Sequence, residues 1–409
     1  LETVTCDKKD GEFELMPHQK VVRDYLNLYT PYRGLLLYFG LGAGKTCASI
    51  GIAEGLKSKK HVIIMTPASL RMNYISELKN CGDPLYKLNQ YWEFVGVEKN
   101  PPLLATLSKI LTLDQDFIRK QKGAWLTNIN KPTNYESLTS EEKTSLTNQI
   151  SMMISEKYQF ISYNGLRNNH LSKLSKNDTI NPFSNKVIIV DEAHNLVGRI
   201  VNKLKKPESV SYKIYKYLMD AENCKIVFLT GTPIINYPNE AAVLFNMLRG
   251  YIKTYEIQLT IETSSTVNEE FIKRLLEPLR IFDYIQYSSS KKRLIITRNP
   301  FGFLSNYKDD EYSGVSLTSE GSLTEEDFLN QIGKILGKKQ IYMKKETIQV
   351  KKSLCLDDNL DNFNTQFINP TNNELINGNL LQRRILGLTS YFKDIEKLMP
   401  KYDEESDLH

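Results

Sequence analysis

Five short apolar runs, at residues 35–39, 62–65, 160–162, 187–190 and 226–229, set the pattern of the chain. Within each run the apolar residues are continuous rather than alternating, which predicts strands covered on both faces, as in a parallel sheet. Helix-periodic stretches follow several of them. Ala48, Ile52 and Leu56 repeat at four-residue spacing after the first run. Leu70, Tyr74 and Leu78 do so after the second, with Ser69 as the expected cap and Gly82 as the stop. Ala241, Leu244, Phe245 and Leu248 follow the fifth, between Asn239 as cap and Gly250 as terminator. Strand, loop and helix in alternation predict a doubly wound α/β domain over residues 1–250.

Two stretches interrupt that alternation. Residues 91–157 read as an insertion, partly helical and mobile around its polar centre at 128–147. Residues 251–380 read as an accessory α+β module, with a helix over 269–279 and β-like runs at 293–297 and 340–351. A length of 409 residues suits two or three domains. No apolar run is long enough to cross a bilayer, and no secretion signal opens the chain, so a soluble intracellular protein without a membrane partner is expected. The first residue is Leu1, which suggests a piece of a longer product. The cysteines (Cys6, Cys47, Cys81, Cys224, Cys355) stand singly, which predicts reduced thiols and no zinc site. A net charge of +5 permits contact with a phosphate backbone without demanding it.

Candidate chemistry sits at the ends of the apolar runs. Gly40, Gly42 and Gly44, with Ala43 between the last two, precede Lys45 and Thr46. Glycines so spaced let successive N–H groups curl around phosphate oxygens. Lys45 would reach the β- and γ-phosphates of ATP. Thr46 would place a hydroxyl on Mg2+ at the start of a helix whose dipole favours the anion. Phe39 stands where the strict phosphate-loop pattern has its first glycine. Asp191 and Glu192 follow the fourth run directly: the aspartate can hold Mg2+, and the glutamate can orient and deprotonate a water. His194 is placed to link that site to a neighbouring motif.

Thr230, Gly231 and Thr232, before Pro233, close the fifth run. Their hydroxyls can contact the Asp-Glu-Ala-His segment and report whether γ-phosphate is present; a plain Gly-Pro turn is the alternative. Thr66, Pro67 and Ser69 offer hydroxyls and a helix start to a nucleic-acid phosphate, or form a simple loop. Gln19 carries an amide able to pair with N6 and N7 of adenine, or merely opens a surface helix. The basic clusters at Lys291-Lys292-Arg293, Lys338-Lys339, Lys344-Lys345 and Lys351-Lys352, interleaved with Phe301, Phe303 and Tyr342, fit either a phosphate-tracking surface or a lysine-guarded β edge.

In this order the motifs resemble the amino-terminal motor domain of superfamily 2 helicases, on the Snf2-like branch. More narrowly, the chain is similar to the helicase-like transcription ATPases of large nucleo-cytoplasmic DNA viruses, the group of the poxvirus nucleoside triphosphate phosphohydrolase I and early transcription factor small subunit. Leu36-Leu37-Tyr38-Phe39-Gly40, Leu78-Lys79-Asn80-Cys81-Gly82-Asp83, Tyr163-Asn164-Gly165, Thr297-Arg298-Asn299-Pro300 and residues 383–392 carry the narrower likeness.

The resemblance implies a RecA-like P-loop NTPase fold, with ATP and Mg2+ as ligands. It implies catalysis by Lys45, Thr46, Asp191, Glu192 and His194, adenine recognition by Gln19, and nucleic-acid contact or coupling through the Thr66 and Thr230 segments. The partners it implies are nucleic acid (DNA ahead of RNA), a second RecA-like domain of the same parent protein, and a viral RNA polymerase. Residues 381–409 would lead into that second domain, whose arginines the acidic tail Asp403-Glu404-Glu405-Ser406-Asp407 does not supply. The expected function is the first half of an ATP-driven DNA helicase or translocase in viral transcription, working in virion and host cytoplasm and turning over slowly alone. A restriction- or remodelling-type motor subunit shares these motifs, and a non-enzymatic scaffold lobe is the reading from another class. A metabolite kinase would leave Thr-Gly-Thr-Pro without a role.

Overall fold

Residues 15–40, 42–98, 101–308, 311–316 and 323–392 are described by the computed structural model. The first strands are β1 (Gly34–Phe39) and β2 (His61–Thr66), followed by an antiparallel ribbon of β3 (Trp92–Gly96) and β4 (Gly123–Thr127). Then come β5 (Tyr158–Ser162), β6 (Lys186–Val190) and β7 (Lys225–Leu229). All five apolar runs join one sheet in the order β1-β7-β6-β2-β5, and every pairing is parallel.

Alternate side chains of these strands enter different cores. Leu35, Leu37, Phe39, Ile64, Ile189 and Leu229 face one layer, which includes α1 (Pro17–Tyr25), α2 (Lys45–Leu56) and α3 (Arg71–Cys81). The insertion covers the same face through α4 (Pro101–Leu111), α5 (Gln115–Lys120) and α6 (Ser140–Lys157). Beyond them in sequence lies α7 (Asn168–Leu174). Leu36, Ile63, Met65, Ile188, Val190 and Phe228 face the layer of α8 (Ala193–Val201), α9 (Val210–Asp220) and α10 (Glu240–Arg249). Double coverage is why the strands read as continuous apolar runs, each buried aliphatic side chain contributing about 1.5–3 kcal/mol. At Gly34 the strand presses directly on α10: a Cβ there would lie 2.5 Å from the Leu248 carbonyl oxygen, so no larger residue fits.

The accessory module is a separate antiparallel sheet with its own core. It contains β8 (Ile252–Ile261), α11 (Glu269–Leu276), β9 (Phe282–Ser288), β10 (Arg293–Arg298), β11 (Leu304–Lys308) paired with β12 (Glu311–Ser316), α12 (Glu325–Gly337), β13 (Ile341–Met343) and β14 (Gln349–Ser353). Ile272 and Leu276 of α11 and Phe328, Ile332 and Leu336 of α12 pack on Tyr255, Ile257 and Leu294 of that sheet. Two helices, α13 (Leu360–Phe367) and α14 (Gly378–Ile385), then lead to β15 (Thr389–Phe392).

Several expectations are corrected. Within residues 381–409, read as the lead-in to a second domain, β15 adds a strand that was not expected: it pairs in parallel with β1 and forms the sixth strand of its sheet. The polar centre of the insertion is ordered structure, with Thr139 and Glu142 forming a reciprocal capping box at the start of α6. Ser69 does not cap α3, because Ala68–Leu70 form a 3₁₀ turn first and the helix starts at Arg71. Asn239 spends its amide on the Asp358 carbonyl, 2.8 Å away, while the Glu240 carboxylate accepts the Ile235 and Asn236 N–H groups. Cys47 and Cys81 form a disulfide, with Cα atoms 5.4 Å apart, where reduced thiols were expected. Cys224 and Cys355 are free and buried, while Cys6 and the acidic tail lie outside the described residues. Lys351 and Arg293 both pair with Glu256, which fits the guarded-edge reading of those basic clusters.

Candidate nucleotide-binding site

The site is built where strands β1, β6 and β7 end. After β1 the backbone turns through Gly42 (φ 76°) and Gly44 (φ 69°), left-handed values that glycine adopts without strain. Leu41 lies outside the described residues. Gly40 N–H donates to the Phe392 carbonyl (3.0 Å), so β15 holds the mouth of the loop. Lys45 opens α2, and its Nζ donates to the carbonyls of Phe39 and Gly40, each 3.1 Å away. Thr46 follows, half-buried in the first turn of α2.

Asp191 and Glu192 leave β6. Asp191 N–H donates to the Met65 carbonyl (2.9 Å), and its carboxylate accepts from Glu192 N–H (3.1 Å). Burial, then the charge of Glu192, pushes the Asp191 carboxyl from 3.8 up to about 6, against the opposite pull of the Glu192 N–H bond and Lys45. Glu192 is held at φ 49°, in a left-handed conformation that costs a non-glycine residue about 1–3 kcal/mol. A carboxylate and a threonine hydroxyl are hard oxygen donors of the kind Mg2+ takes, so the side-chain chemistry of the half-buried Asp191 and Thr46 suits that ion.

His194 Nδ1 lies 2.8 Å from Thr230 Oγ1 and 3.4 Å from a Glu192 oxygen. Thr230 is fully buried, and its oxygen also accepts from Thr232 N–H at 3.0 Å. Gly231 completes the approach: a Cβ built there would stand 3.9 Å from Lys45 Nζ. Phosphate loop, acidic pair and Thr-Gly-Thr segment therefore meet at one edge of the sheet.

Three predicted site residues are buried. Gln19 is 2% exposed, and both ends of its amide are engaged: Oε1 accepts from Met16 N–H and Nε2 donates to the Gly44 carbonyl. It ties α1 to the phosphate loop. Thr66 and Pro67 are buried, with the Thr66 hydroxyl turned onto the Pro67 carbonyl, so of the two hydroxyls in that segment only that of Ser69 belongs to an exposed residue.

Two contributors entered the sequence reading only through the family likeness, with no role assigned at the site. Tyr163 donates to the backbone carbonyls of Asp191 and Glu192, at 3.0 and 3.1 Å, buttressing the acidic turn; burial and the Asp191 charge push its phenol up. The signal was its place just after the third apolar run. Phe392 stacks on His18, ring centroids 4.0 Å apart, and His18 Nε2 lies 3.1 Å from the Ala43 carbonyl of the loop. No local pattern could have found a partner so distant in sequence.

A parallel sheet with helices on both faces and a glycine loop on its first strand defines a P-loop nucleotide-binding lobe. The chain belongs to the family described as "Type III restriction enzyme, res subunit", whose model matches residues 12–235. It is 29% identical over 241 residues to a protein of Acanthamoeba polyphaga mimivirus described as an ATP-dependent RNA helicase, covering 58% of this chain and 33% of that one. It is 26% identical over 269 residues to a termination factor NPH-I homolog of African swine fever virus, covering 64% of this chain and 29% of that one. The chain thus spans about a third or less of these relatives. A solved Sulfolobus solfataricus SWI2/SNF2 ATPase core in complex with dsDNA aligns at TM-score 0.30 and 16% identity, over 58% of this chain and 36% of that one. That likeness is too slight to add to what the strand pairing shows.

Proposed function

We propose that this chain is the first motor lobe of an ATP-driven nucleic-acid helicase or translocase, with DNA as the expected track and viral transcription as the expected setting. The observation that carries the reading is the His194–Thr230 bond beside the phosphate loop. It gives the nucleotide site a hydrogen-bonded route to a second segment, which a simple phosphotransferase does not need. Relatives described as a helicase and as a termination factor homolog support the same reading.

In this proposal the loop N–H groups and Lys45 cradle the phosphates of ATP. Thr46 and Asp191 hold Mg2+, which when bound neutralises charge on the β- and γ-phosphate oxygens. Glu192 orients the attacking water and takes its proton. Thr230 reads the position of His194, and Thr232 and Ser69 sit on the exposed side for contact with a strand. A second RecA-like lobe of the parent protein supplies arginines, worth about 10³–10⁵ in rate where they complete such a site. Viral RNA polymerase is the partner proposed for the assembly.

The test is steady-state ATP turnover by the parent protein, alone and with single-stranded DNA, duplex DNA or RNA. Stimulation by one polymer, lost with Glu192→Gln, is the expected outcome and names the track. Flat background turnover under every condition would leave a scaffold lobe instead. This chain by itself should turn over slowly in all of them.

A further inference from the structure

The Thr297-Arg298-Asn299-Pro300 segment has no part in the nucleotide site. Its Arg298, Asn299 and Pro300 form one wall of a cavity of about 260 Å³ between the motor lobe and the accessory module. Arg33, Arg249, Lys253 and Arg298 line it, together with the rings of Tyr251 and Phe301, and no carboxylate does among the described residues. Arg33 immediately precedes β1, so the cavity lies at the end of the sheet opposite the phosphate loop.

The arginines here are held by backbone carbonyls. Arg33 donates to the Ala221 and Leu218 carbonyls, Arg249 to the Leu386 carbonyl (3.2 Å) and Arg298 to the Leu323 carbonyl (3.0 Å). Among the described residues none of the three pairs with a carboxylate, and the buried Nε of Arg33 has no hydrogen-bond partner. Lys253 pairs with Glu325, and nearby Asp283 is taken by Arg384. Burial pushes the Arg249 guanidinium down, and the opposite pull of Cys355 and Asp283 does not offset it. Phe301 is held at φ 53° with its ring edge-on to Tyr32, a strained backbone of the kind found at ligand clamps.

Guanidinium forks match phosphate oxygens in shape and charge, and flat rings beside them suit a nucleotide. We propose that this cavity binds a phosphate group, carried by a nucleic-acid strand or by a free nucleotide. A strand as the source rests on the motor reading above; the phosphate site itself does not.

The experiment titrates inorganic phosphate calorimetrically into the Lys45→Ala chain, which disables the phosphate loop, with and without Lys253→Glu and Arg298→Gln. Thermal melts run beside it, and if Arg298→Gln fails to fold, the exposed Lys253→Glu alone serves. Phosphate should bind the Lys45→Ala chain and weaken at least about tenfold with the cavity changes, or about 1.4 kcal/mol. No binding, or binding unaffected by those changes, overturns the proposal. Two further titrations separate the sources, using uridine monophosphate and a labelled single-stranded oligonucleotide. If a strand fills the site, the variants bind the oligonucleotide less tightly and with a salt slope shallower by about 0.7 per lost phosphate contact. If only the mononucleotide weakens, the source is a free nucleotide. Absence of polymer-stimulated turnover in the parent protein would remove the strand and leave the phosphate result standing.

Discussion

Replacing Asp191 by asparagine should stabilise the ligand-free chain while abolishing ATP turnover, and should stabilise it only where the native carboxyl is ionised. In the unfolded chain this carboxyl ionises near 3.8, whereas in the folded chain it keeps its proton up to about 6. Below the lower value it is neutral in both states and folding bears no cost. As pH rises through 6 the stability gained from holding the proton is lost, because the charge must then sit in a desolvated site beside Glu192. The gap of roughly two pH units, at about 1.4 kcal/mol each, amounts to about 3 kcal/mol. Asparagine is the same size, stays neutral, and can still accept the Glu192 N–H bond that Asp191 receives at 3.1 Å. Urea unfolding of both chains without nucleotide or magnesium should therefore show Asp191→Asn more stable by about 2–3 kcal/mol at pH 8, and by less than about 1 kcal/mol at pH 4. Equal stability at pH 8, or the same gain at both pH values, would refute the reasoning. Added Mg·ATP should raise the melting temperature of the native chain and leave the variant unmoved.

Gln19→Ala should weaken ATP and GTP alike, about fivefold for one lost bond to the loop, because Gln19 holds Gly44 and not a base; a selective loss of ATP in competition binding would restore the adenine reading. Thr230→Val removes the partner of His194 while preserving shape. Basal turnover of the parent protein should stay within a few-fold and its stimulation by nucleic acid should fall about tenfold, so undiminished stimulation would break the proposed coupling route. Arg384→Ala leaves Asp283, 6% exposed, without the guanidinium 3.1 Å away, and should cost about 3–5 kcal/mol in denaturant unfolding. Arg384→Met combined with Asp283→Leu should recover most of that loss, and failure to recover would mean the site depends on more than the charge pair.

Much of the parallel-sheet lobe was legible because its strands are buried on both faces. Val187 to Val190 could hardly be anything but an interior strand ending on Asp191, and Leu35 to Phe39 announced the phosphate loop in the same way. The ribbon of Trp92–Gly96 and Gly123–Thr127 was not legible, since Glu93 and Phe94 are exposed and the pairing spans two intervening helices. Thr389–Phe392 was missed for a similar reason: it is short, half-polar and defined only by its neighbour β1. Residue types at the site were readable; which side of a segment faces solvent was not. Thr66 and Gln19 both carry polar groups suited to a ligand, yet their neighbours claim those groups first.

The pairing of Thr389 with Leu36 also bears on how the protein is made. The two residues lie about 350 positions apart, and ribosomes add roughly 5–20 residues per second. For tens of seconds the nascent lobe must carry β1 as an open edge, a template for pairing with the wrong chain. During that interval Gly40 lacks the Phe392 carbonyl and His18 lacks its stacked ring. The nucleotide pocket of this lobe is thus a late product of synthesis, completed only after the accessory module has emerged.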